Sequence, residues 1–137
     1  MVVRKAESID KEEILKLVEG LYNQDSPESV ESFRKNFIEL IDYILVFEEE
    51  NKIVGYILYE IHKKSLYIAD IYVLEEFRRR KIANKLLEEI EKIKKKLKKD
   101  YLRVDVRKKD IPAVNFYKKI GFKFWKEKNI NSVILKR

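Results

Sequence analysis

Ile71-Tyr72-Val73-Leu74-Glu75-Glu76-Phe77-Arg78-Arg79-Arg80-Lys81-Ile82-Ala83-Asn84-Lys85-Leu86-Leu87, residues 71–87, joins two unlike patterns. Upstream, Leu66 to Val73 is rich in branched and aromatic residues and reads as a strand. Its side chains alternate, with Leu66, Ile68, Asp70 and Tyr72 on one side and Tyr67, Ala69, Ile71 and Val73 on the other. Downstream, Ile82, Leu86, Ile90, Ile93 and Leu97 recur at the interval of a helix with one buried stripe, and lysines cover the opposite face. Arg78 to Lys81 place four successive cations between strand and helix. The first N–H groups of a helix have no partner within it, and the macrodipole adds partial positive charge there. A helix that starts after a basic loop is therefore a seat for phosphate oxygens.

The rest of the chain supplies a mixed α/β order. Val2 to Lys5 is a short strand. Asp10 and Glu13, at capping-box spacing, precede a helix with Ile14, Leu17, Val18 and Leu21 on one face. Ser26-Pro27 opens a second helix, whose apolar face runs through Val30, Phe33, Phe37 and Ile41. Tyr43 to Phe47 and Ile53 to Ile61 form a hairpin about a polar turn, and the strand ending at Val73 follows a turn at Lys63 to Ser65. After the lysine-clad helix come a strand from Tyr101 to Val106, a short helix from Pro112 to Ile120 ended by Gly121, and strands near Lys123 to Lys126 and Ser132 to Leu135. With no linker or repeat, residues 1–137 are expected to form one domain.

Val73, five residues, then Arg78-Arg79-Arg80-Lys81-Ile82-Ala83 resembles the acetyl-coenzyme A signature R-x-x-G-x-G/A of the GNAT acetyltransferase superfamily. Arg78 takes the leading basic position and Ala83 the closing small one, while Lys81 stands where the family has glycine. That glycine lets the main chain approach a pyrophosphate, so the Lys81 side chain must point away and adds charge at the rim. Asp110-Ile111-Pro112-Ala113-Val114-Asn115-Phe116-Tyr117-Lys118-Lys119-Ile120-Gly121-Phe122 resembles the family's N-x-x-A-x-x-x-Y-x-x-x-G-F element, with Asp110 replacing the asparagine. The order of the two motifs, separated by one helix and one strand, matches the family.

The resemblance implies a central mixed, mostly antiparallel sheet of about seven strands flanked by four helices. It also implies that the fourth and fifth strands splay apart around the pantetheine arm of acetyl-CoA. Ile71, Tyr72 and Val73 would meet that arm through the main chain, and Arg78, Arg79, Arg80, Lys81, Ile82, Ala83 and Asn84 would hold the diphosphate. Asp110, Asn115 and Tyr117 would complete the cofactor contacts. Tyr117 is the implied general acid, protonating the leaving thiolate. An attacking ammonium must first lose a proton, and Asp70, which interrupts an apolar strand face, is the first candidate base; Glu60 and Asp105 are lesser ones. His62, the one histidine, lies at a turn and reads as a solvated side chain.

Composition narrows the alternatives. There is no cysteine, which removes disulfides, cysteine-based zinc sites and thiol nucleophiles; no metal is called for, and direct transfer in a ternary complex is expected over a covalent acyl-enzyme. No apolar run reaches membrane-spanning length and no signal-peptide pattern opens the chain, so no membrane is expected and the cytoplasm is the expected location. Residues 1–60 hold 7 Lys and Arg against 14 Asp and Glu, and the remainder 24 against 10. The acidic part suits a cationic acceptor, either a small-molecule amine or the amine of a protein or peptide. The basic part suits the anionic cofactor. Nucleic acid is the rival ligand on charge alone, a non-catalytic acetyl-CoA sensor is the rival on fold, and a homodimer stays open.

Overall fold

A computed structural model describes residues 2–23 and 25–137. Among the described residues seven strands, numbered in chain order, join in the order β1-β2-β3-β4-β5-β7-β6, an open mixed sheet, and five α-helices accompany them. The chain divides into two compact units, Met1–Tyr59 with Asp70–Ile90 and Glu60–Ala69 with Glu91–Arg137. Among the described residues no helix is long and apolar enough to cross a membrane.

The first unit opens with β1 (Val2–Lys5), antiparallel to β2 (Ile44–Glu49), which is antiparallel in turn to β3 (Lys52–Ile61). Glu50 and Asn51 both take positive φ, the mirror-image turn whose twist matches a two-residue hairpin. The first helix, α1 (Lys11–Tyr22), buries Ile14, Leu15, Leu17 and Val18. The second apolar face does not run through one helix: α2 (Pro27–Lys35) stops at Asn36, whose side chain donates back to the Ser32 carbonyl, and α3 (Phe37–Leu40) restarts beyond it. Phe33 and Phe37 stay buried with rings 6.4 Å apart, so the apolar stripe survives the break.

Asp10 and Glu13 do not form the capping box that their spacing suggests. Glu13 accepts the Ile53 N–H at 2.8 Å. Asp10, 6% exposed, accepts two hydrogen bonds from the Arg4 guanidinium at 2.8 and 3.0 Å and one from the Glu7 N–H. The Arg4 bonds hold the Asp10 carboxyl below the usual carboxylate range against the opposing effect of burial. A depressed folded pKa stabilises fully above the unfolded value, and that contribution is lost as pH falls below about 4 and through the folded pKa. Thermal scans are expected to show the melting temperature dropping across this acid window, with a shallower drop in Asp10→Asn.

In the second unit β5 (Tyr101–Arg107) pairs in parallel with β4 (Ser65–Val73), from Ser65 against Tyr101 to Tyr67 against Arg103. This pairing takes in the starts of the two strands, in keeping with the expected splay. β5 is antiparallel to β7 (Ser132–Lys136), which carries β6 (Lys123–Glu127) on its other edge. Leu102, Val104, Val106, Phe122, Ile134 and Leu135 form the core here. The helix α4 (Ile82–Lys96) buries Ile82, Leu86, Leu87 and Ile90 in the first unit, but its stripe fades after that: Leu97 lies beyond the helix and is 40% exposed. The short helix α5 (Ile111–Lys119) has no buried residue.

Candidate active site

The chemistry-bearing loop of the first unit is folded by its own ends. β4 closes with Leu74 donating to the Val54 carbonyl at 2.9 Å, and Glu75–Phe77 make one tight helical turn. Arg79 and Lys81 then take φ of 66° and 60°, the left-handed region, and α4 begins. Glycine enters that region without strain, so the family's preference at position 81 has a backbone reason, and the exposed Lys81 meets the same geometry at a cost of about 1 kcal/mol. The Lys85 N–H donates to the Lys81 carbonyl at 3.1 Å as the first bond of the helix. The N–H groups of Ile82, Ala83 and Asn84 therefore lie ahead of the intrahelical ladder.

The arginines of this loop differ in role. Arg78 turns back, its Nε donating to the Val73 carbonyl at 2.9 Å and its guanidinium lying 5.3 Å from the centre of the Tyr72 ring. It clamps the end of β4 while leaving its charge at an exposed position. Arg80 lies 5.0 Å from the Phe77 ring and 3.6 Å from the carboxylate of Glu49, whose Oε2 is buried without a hydrogen bond. That ion pair gives the buried oxygen its compensation. Arg79 and Lys81 are exposed. Three leading N–H groups behind four cations fit a diphosphate.

On β4, Ile71 and Val73 are buried and Tyr72 is half-buried. Gly20 of α1 makes room for Tyr72: a Cβ there would stand 2.6 Å from the tyrosine hydroxyl. Asp70 is 4% exposed, with Oδ1 accepting from Tyr22 and Oδ2 from Tyr56. Neither phenol carries a sequence signal, since Tyr22 ends a helix and Tyr56 sits mid-strand; only tertiary packing brings them to the carboxylate. Near the end of α1, Lys16, Glu19, Gly20, Asn23, Pro27, Val30 and Glu31 line an open cleft of about 620 Å³.

In the second unit the N-x-x-A-like stretch is a helix with both ends built. Asp110 Oδ1 accepts the Ala113 N–H at 3.1 Å, which makes Asp110 the N-cap of α5. Aspartate and asparagine cap equally well, so this replacement costs the fold nothing. Asp110→Ala is expected to lower the unfolding free energy by about 1 kcal/mol and Asp110→Asn to leave it unchanged, as read by denaturant titration. At the other end Gly121, with φ of 103°, donates to the Lys118 carbonyl at 3.1 Å, and Phe122 donates to the Tyr117 carbonyl at 2.9 Å. This is a Schellman motif, and its apolar contact is Tyr117 against Phe122, with ring centres 5.6 Å apart. The motif spacing thus fixes the half-buried Tyr117 on the last turn of α5, with Asn115 exposed two residues before it.

The lesser base candidates are held by their own neighbours. Burial tends to raise Asp105, but hydrogen bonds from Arg103 at 2.8 Å and from Lys128 outweigh it and hold the carboxyl below the usual range. Glu60 lies 2.9 Å from His62, whose ring stacks on Tyr67.

The sequence profile of the acetyltransferase (GNAT) family matches residues 11–122. The chain is 28% identical over 134 residues to an N-alpha-acetyltransferase of Sulfurisphaera tokodaii, covering 88% of this chain and 79% of that protein. In fold it resembles the PaiA N-acetyltransferase of Thermoplasma acidophilum, solved in complex with coenzyme A, at 22% identity and a TM-score of 0.83 over 99% and 97% of the two chains. It also resembles a ribosomal-protein-alanine N-acetyltransferase of Brucella melitensis, at 17% identity and a TM-score of 0.72 over 100% and 99%. With a profile match over most of its length, the chain belongs to the GNAT acetyltransferase family, acyltransferases that take acetyl-CoA as cosubstrate.

Proposed function

We propose that this protein transfers an acetyl group from acetyl-CoA to a primary amine by direct attack in a ternary complex. The observation that carries the reading is the start of α4, where the N–H groups of Ile82, Ala83 and Asn84 stand ahead of the helical ladder behind Arg78, Arg79, Arg80 and Lys81. Electrostatics and main-chain donors there favour a diphosphate. The main chain of Ile71, Tyr72 and Val73 is proposed to pair with the pantetheine arm, which needs no particular side chain.

Tyr117 is proposed to give its phenol proton to the leaving thiolate, and Asp70 to be the final acceptor of the proton that the amine loses. The Schellman motif supports the first role by fixing the Tyr117 ring. The second is supported by the position of a buried carboxylate on β4 three residues before Val73. The acceptor is proposed to be a cationic amine on a small molecule or a peptide, since Glu19 and Glu31 lie in the cleft beside α1. The N-alpha-acetyltransferase relative favours including peptide amino termini among the acceptors tested.

Charge alone had suggested nucleic acid. Tyr101 and Trp125 do share a cleft with Lys64, Lys94, Lys136 and Arg137. Lys136 Nζ, however, lies 4.0 Å from the Trp125 ring centre and 4.7 Å from that of Tyr101, occupying the faces that a base would stack on. Acetyl-CoA consumption across polyamines, amino acids, aminoglycosides and peptide amino termini, read as free thiol, tests the proposal. Turnover with a cationic acceptor is expected. Absence of any calorimetric response to millimolar coenzyme A would overturn it.

A further inference from the structure

The carboxylate of Asp70 is closed off from solvent, yet one of its hydrogen-bond donors is a half-buried side chain. Tyr22 Oη donates to Oδ1 at 2.5 Å and Tyr56 Oη donates to Oδ2 at 2.9 Å. The two phenols differ in what they can reach. Tyr56 lies on β3, fully buried, its ring edge-on to Phe33 at 6.0 Å, so no substrate meets it. Tyr22 ends α1 and is half-buried, so of the two phenols it is the one with exposed surface. Tyr56 therefore fixes the carboxylate from the interior, while Tyr22 ties it to the half-buried end of α1. Ionisable groups nearby include Tyr72, whose hydroxyl lies against Gly20, Lys16 and Glu19 on α1, and Glu31 on α2.

Resting on the acetyltransferase reading, we infer that Tyr22 is the residue that takes the proton from the acceptor amine, and that Asp70 is a positioning carboxylate acting through it. A neutral phenol oxygen is a weak base by itself. Bonded to a buried carboxylate, it can give up one proton while it accepts another. Before attack, one N–H bond of the ammonium breaks, leaving the electron pair on nitrogen for the acyl carbon, and the proton passes to Tyr22 Oη. The original Tyr22 hydrogen moves to Asp70 Oδ1. Tyr22 ends neutral, as it began, Asp70 ends protonated, and the proton returns to solvent by the reverse path once the product has left. The arrangement delivers base function to an acceptor that never touches the carboxylate.

The test compares thiol release by wild type, Tyr22→Phe, Tyr56→Phe and Asp70→Asn with the best amine of the panel, from neutral to alkaline pH. Melting temperature and coenzyme A affinity verify that each variant is folded. Tyr22→Phe is expected to lose about a hundredfold in kcat at neutral pH with KM nearly unchanged. It should recover as pH approaches the pKa of the amine, which then arrives already deprotonated. Asp70→Asn should show the same alkaline recovery; where it fails to fold, Tyr22→Phe alone decides. Tyr56→Phe, which weakens the clamp without removing the surface hydroxyl, should show no alkaline recovery. Wild-type kcat and pH profile in Tyr22→Phe overturn the inference, as does an equal loss in both phenylalanine variants without recovery, which would make the phenols packing groups. A wild type that binds coenzyme A but releases no thiol with any amine overturns the acetyltransferase reading, a result distinct from an active wild type indifferent to Tyr22.

Discussion

Tyr117→Phe is expected to lower the turnover number by about a hundredfold while the affinity for coenzyme A stays within a factor of about three. The substitution is informative because it removes the hydroxyl of Tyr117 and keeps the ring. The ring is held by Phe122, with centres 5.6 Å apart, and by Phe116 at 5.2 Å, and phenylalanine keeps both contacts. The main-chain carbonyl that closes the Schellman motif is untouched. Melting temperature, measured alongside, separates a structural role of the hydroxyl from a chemical one. Thiol release under saturating acetyl-CoA measures the turnover, and calorimetry with coenzyme A measures the binding; an unchanged turnover removes Tyr117 from the mechanism.

Phe122→Ala is expected to cost about 3–5 kcal/mol of unfolding free energy, a large part of what a domain of this size has in reserve. Phe122 is 2% exposed, so the substitution leaves a cavity in the core of the second unit in addition to the lost transfer energy. It also removes the apolar half of the helix stop that seats Tyr117. Denaturant titration should show the midpoint falling with little change in slope, accompanied by a melting temperature lower by roughly 10 °C. Phe122→Leu, which refills part of the space, should recover more than half of the loss. A midpoint shift of less than about 1 kcal/mol would mean that this corner repacks freely and that Phe122 does not hold Tyr117 in place.

Much of the fold could be read from local pattern. The alternation up to Val73, the helical interval from Ile82 and the hairpin about Glu50 and Asn51 depend on side chains a few residues apart, and all seven strands lie where that pattern puts them. At Asp10 and Glu13, where local pattern misled, another part of the chain had taken the residue. Asp10 and Glu13 carry capping spacing, yet Arg4 claims one and the Ile53 N–H the other. Leu97 continues the apolar period, but the helix ends before it and leaves it exposed.

The candidate site divides in the same way. Sequence by itself determined the cationic loop at the start of α4 and the helix stop that carries Tyr117, because both are contiguous devices built from unpaired N–H groups, a capping carboxylate and a glycine at positive φ. Only tertiary structure decided that Arg78 clamps the end of β4, that Arg80 answers the buried oxygen of Glu49, and that Asp70 is shared by two tyrosines 48 and 14 residues away. The reason is physical. A buried charge takes whatever donors the packed core brings within about 3 Å, and which donors those are depends on how helix and sheet meet, a relation that no short stretch of chain encodes.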